Sequence, residues 1–229
     1  MQGTLLMFNT ETCVKENPFQ VITDVLLDGA NASDQKDVIP VIDRLQERNH
    51  KPEELFADAG YGSGENILGA QERDVQLTAP VTVGKAPDKD KMQLSDFDIS
   101  IDYTEVKACI KGHAPRLCRK IKSGKMVEAF FSGEHCTECE LLPICQVKQR
   151  KKGQYRLRYK PKDMAVSHRR AEQETRDFKE RYKIRSGIEA AISEADRLTG
   201  LKRVWTRGKD MVTISVFMKA LAINIKRYI

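Results

Sequence analysis

Two carboxylates lie in sequence contexts that suit a metal-dependent active site. Asp58 follows the short apolar run Leu55–Ala57 and precedes a glycine-rich stretch, which predicts a strand that ends at a carboxylate and turns into a helix beginning near Glu65. Glu189 lies in the amphipathic stretch Tyr182–Arg197. Carboxylate oxygens are the ligands that Mg²⁺ and similar hard cations prefer, and such ions can drive phosphodiester chemistry. Asp58 and Glu189 are therefore candidate catalytic residues and candidate ligands of Mg²⁺ or Mn²⁺.

The stretch Tyr182–Arg197 predicts one helix with two chemically opposite faces. Its apolar residues recur at steps of three and four, as in a helix that packs on a core: Ile184, Ile188, Ala191, Ala195 and Leu198. The other face carries Tyr182, Arg185 and Glu189, so that a phenol, a guanidinium and a carboxylate point in one direction. A surface helix with a solvated ion pair is the alternative interpretation of this stretch taken alone.

Three of the six cysteines crowd into one short segment, in which Cys136 and Cys139 form a CxxC pair and Cys145 follows. A CxxC turn presents two thiolates to one tetrahedral Zn²⁺ ion, so this spacing predicts a structural zinc site. Candidates for the fourth ligand are Cys109, Cys118, His113 and His135. A fortuitous cluster of buried thiols is the alternative. Free thiols are typical of a reducing compartment, and we expect a cytoplasmic protein.

Positive charge is concentrated toward the C-terminus. Residues 1–145 contain 16 Lys and Arg against 24 Asp and Glu, whereas residues 146–229 contain 23 against 9. Such a basic part favours a polyanionic partner, and we predict that it binds DNA. Lys202, Arg203 and Arg207 surround Trp205, whose ring would either stack on a base or pack in a core or an interface. A solvated basic face is the alternative.

Strands and helices alternate in a way that predicts an α/β fold. The predicted strands are Gly3–Asn9 and Phe19–Leu27, which could form a hairpin, then Leu55–Ala57 and Val75–Val83, with helices over Asp34–Arg48 and Glu65–Arg73. Over 84–162 the pattern changes to short β-like runs, such as Phe97–Val106 and Met126–Phe131. Two further helices are predicted over Ala165–Arg181 and from Asp210. We expect one stripe of the last helix to close the core: Met211, Ile214, Met218, Leu221 and Ile225. No apolar run approaches the roughly 18 residues that span a membrane.

Three short motifs resemble the DDE transposases of bacterial insertion sequences, which have a ribonuclease-H-like catalytic core. The motifs are DAGY at Asp58–Tyr61, the spaced series Tyr182, Arg185 and Glu189, and TETC at Thr10–Cys13. The resemblance implies that Asp58 and Glu189 bind catalytic metal ions and that Tyr182 and Arg185 contact DNA phosphate or position a carboxylate. It also implies that Cys109 is the fourth zinc ligand. The series departs from the family at Asp196, which stands where a basic residue is expected.

The same resemblance implies partners and a domain organisation. The partner that it implies is DNA, as element ends and as target; a homo-oligomer is a separate expectation that the resemblance does not imply. The mixed sheet and helices of the core would comprise 1–83 and 163–229, interrupted by a small β-rich, zinc-binding insertion over 84–162.

The resemblance also bears on whether the chain is complete. A core of this family uses three carboxylates, the first on a strand before the TETC segment. Only nine residues precede Thr10 and none is acidic, so we expect a shortened copy that is inactive alone. Alternative functions are a zinc-stabilised DNA-binding protein without catalysis and a metal-dependent nuclease.

Overall fold

The structure is a computed structural model that describes residues 4–8, 21–28, 36–81, 87–150, 153–200 and 203–228 of the 229-residue chain. Both helices and strands are present, as the α/β prediction requires. The chain forms two compact units. The first unit comprises Met1–Tyr61, Gly69–Ala79 and Arg176–Ile229, and the second comprises Gly62–Leu68 and Pro80–Thr175.

The elements are numbered in chain order. The strands are β1 Thr4–Phe8, β2 Asp24–Asp28, β3 Glu54–Phe56, β4 Gln76–Thr78, β5 Asp98–Ile99, β6 Val106–Ala108, β7 Leu117–Ile121, β8 Met126–Phe131, β9 Lys148–Gln149 and β10 Tyr155–Tyr159. The helices are α1 Val38–Glu47, α2 Gly64–Gln71, α3 Gly133–Cys136, α4 Pro161–Glu172, α5 Arg176–Tyr182, α6 Arg185–Thr199 and α7 Lys209–Tyr228. Of the described helices, none is both long enough and apolar enough to cross a membrane.

Two pairs of strands supply the sheet structure of the first unit. β1 and β2 pair antiparallel, with Thr4 opposite Asp28 and Met7 opposite Val25, which confirms the predicted pairing of the two N-terminal strands. β3 and β4 pair in parallel. The TETC motif at Thr10–Cys13 lies outside the described residues.

Helix α1 begins at Val38 and buries one apolar face, formed by Val38, Val41, Ile42 and Leu45. Pro40 lies in its first turn, where a missing backbone N–H removes no helical hydrogen bond. Arg44 of α1 donates to the carboxylate of Asp24 at 2.6 Å, and Arg48, just after the helix, donates to the same group at 3.2 Å. Asp24 is buried, and the two guanidiniums supply the charge partners that a buried carboxylate requires.

The prediction of one helix over Tyr182–Arg197 is wrong at its start. α5 ends at Tyr182, and α6 begins at Arg185. Tyr182 is therefore on a different helix from Arg185 and Glu189. The helix predicted over Ala165–Arg181 is also divided, because α4 ends at Glu172 before α5 begins.

Local hydrogen bonds account for the break between α5 and α6. The N–H of Gly187 donates to the C=O of Ile184 at 3.0 Å, and the N–H of Ser186 donates to that of Lys183 at 3.0 Å, so each bond spans three residues instead of four. The Ser186 hydroxyl also donates to the Lys183 C=O at 2.8 Å. Serine bonds of this kind compete with the α-helical pattern, and glycine is a weak helix former. The periodicity of the apolar residues does not reveal these effects of Ser186 and Gly187 on the helix.

Helix α7 buries a different face from the predicted one. Its Val216, Ala220 and Ile223 pack in a core cluster with Ile22 and Val25 at the start of β2. The five residues of the predicted stripe are all exposed: Met211, Ile214, Met218, Leu221 and Ile225. The prediction that this stripe closes the core is therefore wrong. α7 is apolar on two faces, and periodicity does not decide which of two apolar faces is buried.

Asn224 fixes which face of α7 meets the N-terminal strands. Its side-chain amide accepts a hydrogen bond from the N–H of Ile22 and donates one to the C=O of Ile22, both at 2.8 Å. Each such bond contributes about 0.5–1.5 kcal/mol and is costly to leave unmade. Because Asn224 follows the buried Ile223, these bonds hold the face with the smaller side chains against β2.

The second unit is built on a four-stranded antiparallel sheet with the order β7, β8, β10, β9. Alternate residues of its two central strands are buried: Val127, Ala129 and Phe131 on β8, and Tyr155, Leu157 and Tyr159 on β10. A period of two is the pattern of a strand with one face on a core. The strand predicted over Met126–Phe131 is confirmed.

The strand predicted over Phe97–Val106 is two strands, because β5 and β6 pair with each other across a turn. Asp102 holds this turn. Its carboxylate accepts a hydrogen bond from the Ser100 hydroxyl at 2.5 Å and one from the Thr104 N–H at 3.2 Å. Aspartate side chains that bond to nearby residues in this way stabilise turns, so the run is interrupted where the acid occurs.

Candidate functional site

Asp58 lies just beyond the end of β3, where the sequence places it. Its Oδ1 accepts a hydrogen bond from the N–H of Ala59 at 2.7 Å, and its C=O accepts one from the N–H of Tyr61 at 2.9 Å. These bonds turn the chain into a short 3₁₀ helix over Ala59–Tyr61, and α2 follows. The side chain of Asp58 is 58% exposed. The predicted succession of strand, carboxylate, turn and helix is confirmed, and the carboxylate is accessible to a ligand.

The junction of α5 and α6 contacts this strand end through two of the predicted site residues. Arg185 Nη2 lies 3.1 Å from Asp58 Oδ2, and the hydroxyl of Tyr182 donates to the C=O of Ala57 at 3.2 Å. The guanidinium of Arg185 lies 5.8 Å from the centre of the Tyr182 ring, within cation–π range. Tyr182 also stacks on the buried Phe178. Tyr182 and Arg185 therefore meet beside Asp58 although they belong to different helices.

A second ion pair at this junction was not predicted from the sequence. Arg181 pairs with Glu54 of β3, and the hydroxyl of Thr78 on β4 donates to the same carboxylate. The Glu54 side chain is largely buried. An acidic residue inside a strand requires a cation or a donor as partner, and this requirement is the signal that could have drawn attention to Glu54.

Glu189 lies on α6 one turn after Arg185, and its side chain is outside the part of the chain that the structure describes. Its predicted role as a metal ligand stays a prediction. Lys202 also lies outside the described residues. Among the residues that are described, no group of three or more His, Cys, Asp or Glu could hold a metal ion as the side chains stand.

The predicted zinc ligands line one small cavity in the second unit, with a volume of about 30 Å³. Its walls include the four cysteines Cys109, Cys136, Cys139 and Cys145 together with His113 and His135. The two imidazole rings stack with their centres 4.1 Å apart. Cys118, another candidate for the fourth ligand, lies on β7 and is not part of the described lining. The structure thus brings together the four cysteines that the sequence singles out.

Tight turns place two of these thiols. The N–H of Cys139 donates to the C=O of Cys136 at 3.3 Å, which closes the CxxC turn at the end of α3. The N–H of Gly112 donates to the C=O of Cys109 at 2.8 Å, and the N–H of Cys109 donates to the C=O of His113 at 2.9 Å. Gly112 has a φ of +81°, a conformation that L residues rarely adopt. The glycine after Cys109 therefore allows the turn that carries this thiol toward the other three.

Burial and the neighbouring thiols raise the pKa of two cysteines of the cavity, Cys136 and Cys145. Burial, and then the neighbouring Cys109, Cys145 and Cys139, raise the pKa of Cys136 to about 11. Burial likewise raises the pKa of Cys145. Hydrogen bonds from the backbone N–H groups of Val147 and Gln146 lower this pKa, but the effect of burial is larger. Without a cation the thiols of Cys136 and Cys145 are therefore protonated at neutral pH. A metal ion would reverse this preference, because a coordinating thiol loses its proton.

The basic segment after α6 presents alternate residues to solvent. Arg203, Trp205 and Arg207 are exposed, with Trp205 at 95%, whereas Val204 packs against the core cluster of the first unit. Lys219 of α7 holds the start of this segment by donating to the C=O groups of Gly200 and Arg203. The sequence also allowed Trp205 to pack in a core or an interface, and of these two the core is wrong. An indole ring between two guanidiniums faces solvent.

Comparison with known proteins identifies the family. A family model described as a transposase DDE domain matches residues 108–229, which is more than half of the chain. The chain therefore belongs to the family of transposases with a DDE domain, as the motifs indicated. The match includes the α5–α6 junction, the basic segment and all four cysteines of the thiol cavity. No curated protein and no solved structure matches the chain.

In the metal-free protein, the rate at which iodoacetamide modifies Cys136 is expected to rise about tenfold per pH unit from about pH 7 to pH 10. The reason is that only the thiolate reacts, and the pKa of Cys136 is raised to about 11. The rate is measured by mass spectrometry of the modified peptide. Urea-unfolded protein is the control, in which an ordinary thiol with a pKa near 8.5 levels off above about pH 9. Levelling in that range for the folded protein would contradict the clustering of the four thiols.

Proposed function

We propose that the chain is the catalytic part of a transposase that cleaves a phosphodiester bond at the end of an insertion sequence and joins the freed 3′ hydroxyl to target DNA. The observation that carries this proposal is the contact between Asp58, exposed at the end of β3, and Arg185 at the start of α6, the helix that bears Glu189. Membership of the DDE family supports it. In this proposal a ribonuclease-H-like core comprises 1–83 and 163–229, and 84–162 is an insertion.

Asp58 and Glu189 are the residues that would hold catalytic Mg²⁺ or Mn²⁺. The donor chemistry fits, because hard cations prefer carboxylate oxygens and the carboxylate of Asp58 is accessible. When bound, such ions activate the attacking oxygen and stabilise the leaving oxygen of a phosphodiester.

In this proposal Arg185 binds first the carboxylate of Asp58 and then a DNA phosphate. In the protein alone its guanidinium offsets the charge of Asp58. A phosphate group offers oxygens that a guanidinium can bind in a bidentate manner, so an incoming DNA strand draws Arg185 away from the carboxylate. Tyr182 is a positioning residue, because its ring lies against the guanidinium and its hydroxyl is anchored on Ala57. Arg185 is assigned to DNA phosphate and Asp58 to a metal ion.

The test is Mg²⁺-dependent cleavage of labelled DNA that carries the ends of the element. Asp58→Asn and Glu189→Gln are each expected to lower the rate by about 10²–10³-fold, because losing a metal ligand costs several kcal/mol of transition-state stabilisation. Asp74→Asn removes an exposed carboxylate of the same unit and is the matched control. Equal and measurable cleavage rates for all four proteins would contradict the assignment.

The assay is run with the chain alone and with the product of the upstream DNA added in trans, because the family uses three carboxylates and the resemblance assigns two of them here. Joining of a labelled 3′ end to target DNA distinguishes a transposase from a metal-dependent nuclease. DNA binding without cleavage in either arm would favour the non-catalytic alternative, which the exposed Trp205 and its flanking arginines also suit.

We further propose that the thiol cavity holds one structural Zn²⁺ ion, with Cys109, Cys136, Cys139 and Cys145 as ligands. Four thiols around one small cavity match the donors that zinc prefers, and two of them lie in a CxxC turn. His113 and His135 also line the cavity and are the alternatives to Cys109. The proposal requires these side chains to rotate, since the described groups do not form the ligand geometry as they stand.

Purified protein is expected to contain about one equivalent of zinc, and Cys139→Ser is expected to lose the metal and to melt at a lower temperature, because a structural zinc site contributes its binding free energy to folding. Metal content is measured by mass spectrometry and melting by circular dichroism. Cys118→Ser, a change outside the cavity lining, is the matched control and should keep its zinc. Full zinc content in Cys139→Ser would show that this thiol is not a ligand.

DNA contacts are proposed for the basic segment with Lys202, Arg203 and Arg207, in addition to Tyr182 and Arg185. Arg203, Trp205 and Arg207 share the solvent-facing side of this segment, so phosphates on the arginines and a base on the indole fit one strand. The excess of positive charge in residues 146–229 supports the same partner.

Replacement of Lys202, Arg203 and Arg207 by glutamine is expected to weaken binding to duplex DNA of any sequence and to lower the slope of log Kd against log salt by about 0.9 for each phosphate that is no longer neutralised. Fluorescence anisotropy over a salt series measures both quantities. Lys226→Gln, which removes an exposed cation of α7, is the control. An unaltered salt slope in the triple variant would mean that these cations are merely solvated.

A further inference from the structure

A row of charged residues crosses the face of the second-unit sheet opposite its core. In the antiparallel register Arg119 of β7 and Arg158 of β10 both lie opposite Glu128 of β8. Residues directly opposite each other point to the same face. Since Val127 and Ala129 are buried in the core, alternation along β8 places Glu128 on the other face. Three strands therefore contribute one cross-strand row of charge.

One carboxylate in this row forms ion pairs with three guanidiniums. Arg119 and Arg156 lie 3.0 Å and 2.9 Å from the oxygens of Glu128, and Arg158 lies 3.7 Å away. The Glu128 side chain is only 5% exposed, whereas those of Arg119 and Arg158 are 55% and 36% exposed. Burial by itself would raise the pKa of Glu128, but the three arginines lower it overall. Glu128 thus stays ionised and orients the arginines beneath an accessible surface.

This face keeps a net positive charge after the internal pairing. Lys148 of β9 lies opposite Arg156 in the register and is exposed. On the described strands of this sheet, four cations therefore share the face with one carboxylate, and that carboxylate is buried. Guanidiniums held in fixed positions lose little conformational entropy when they bind a second anion, and they match the geometry of phosphate.

An aromatic ring and a groove adjoin the arginine row. Phe130 lies opposite Arg156 on the same face, and the guanidinium of Arg119 is 5.2 Å from the centre of its ring. Arg119 and Phe130 line a groove of about 580 Å³ that extends to Gly133 and Gly153. A Cβ on Gly133 would clash with the Gly153 carbonyl oxygen, so glycine allows the two backbone segments to meet at this end. The volume lies within the range of small-molecule sites and accommodates a nucleoside.

We propose that this arginine face, formed by Arg119, Arg156, Arg158 and Lys148 around Glu128, binds the sugar–phosphate backbone of a single DNA strand, with a base lodged against Phe130 in the adjoining groove. Fixed guanidiniums beside an accessible aromatic ring are the combination that single-stranded nucleic acid requires. An acidic protein segment would use the charges and leave the ring and the groove unexplained. The inference rests on the proposed function only for the choice of DNA, since the face belongs to the second unit and the residues assigned to catalysis belong to the first.

The experiment measures binding of a labelled single-stranded oligothymidylate to the full-length protein by fluorescence anisotropy. Arg119→Gln with Arg158→Gln is expected to raise Kd by about 5-fold to 25-fold at 0.1 M salt and to lower the salt slope by about 0.7 for each phosphate that is no longer neutralised. The matched control is Lys107→Gln with Lys120→Gln. It removes the same charge from the same unit, and Lys120 is on β7 beside Arg119 but opposite the buried Val127, hence on the other face.

Three outcomes would overturn the proposal. Equally weakened binding in the arginine and lysine pairs would show that only net charge matters. Unchanged binding in the arginine pair, with weakened binding in the variant of residues 202, 203 and 207, would leave the proposed function standing and remove this face from it. Displacement of the DNA by polyglutamate at equal charge concentration would indicate an acidic protein as the partner instead.

A second variant keeps the proposal testable if the arginine double variant misfolds. Circular dichroism detects such misfolding. Phe130→Leu keeps an apolar side chain and is expected to weaken binding of the oligothymidylate without changing the salt slope, because it removes base stacking and leaves the phosphate-binding cations in place. Affinity equal to that of the unaltered protein would contradict the placement of a base in the groove.

Discussion

The contact between the end of β3 and the junction of α5 and α6 is the interaction on which the proposed active site depends. The hydrogen bond from Tyr182 to Ala57 joins residues 125 positions apart, and the ion pair of Arg181 with Glu54 spans 127. Closing loops of this length costs conformational entropy, which the contacts made on closure must offset. These neighbouring contacts hold together the two segments in which Asp58 meets Arg185. The site is therefore a property of the folded first unit and not of either motif alone.

The break between α5 and α6 gives this contact its geometry. In an unbroken helix Tyr182 and Arg185 would be neighbours on one face. With the break, the phenol of Tyr182 reaches the carbonyl of Ala57 while the guanidinium reaches the carboxylate of Asp58 one residue further along. A local departure from helical regularity, caused by Ser186 and its neighbour Gly187, thus lets one short segment contact two adjacent residues of the strand end.

Local patterns predicted the parts of this protein that local chemistry determines. The strand and turn at Asp58 and the strand β8 were predictable because they depend on residues close in sequence. The fourth cysteine of the cavity was not fixed by spacing, since Cys109 reaches the others only through the folded chain. The buried face of α7 was also unpredictable, because Ile22 and the other residues it packs on are remote. The row of Arg119, Glu128 and Arg158 depends on strand register, which a linear sequence does not display.

The pairing of Asn224 with Ile22 has a consequence for the chemical ageing of the protein. The two bonds require a donor and an acceptor on the same side chain, which an amide supplies and a carboxylate does not. Deamidation to aspartate would replace the donor with an ionised oxygen that faces the Ile22 carbonyl, and repulsion would follow where attraction had been. Slow hydrolysis of one side chain, which changes the molecular mass by only about one unit, would therefore loosen the last helix from the strand it covers. In stored protein, a measurement of net charge would therefore detect this deamidation, whereas a test of purity would not.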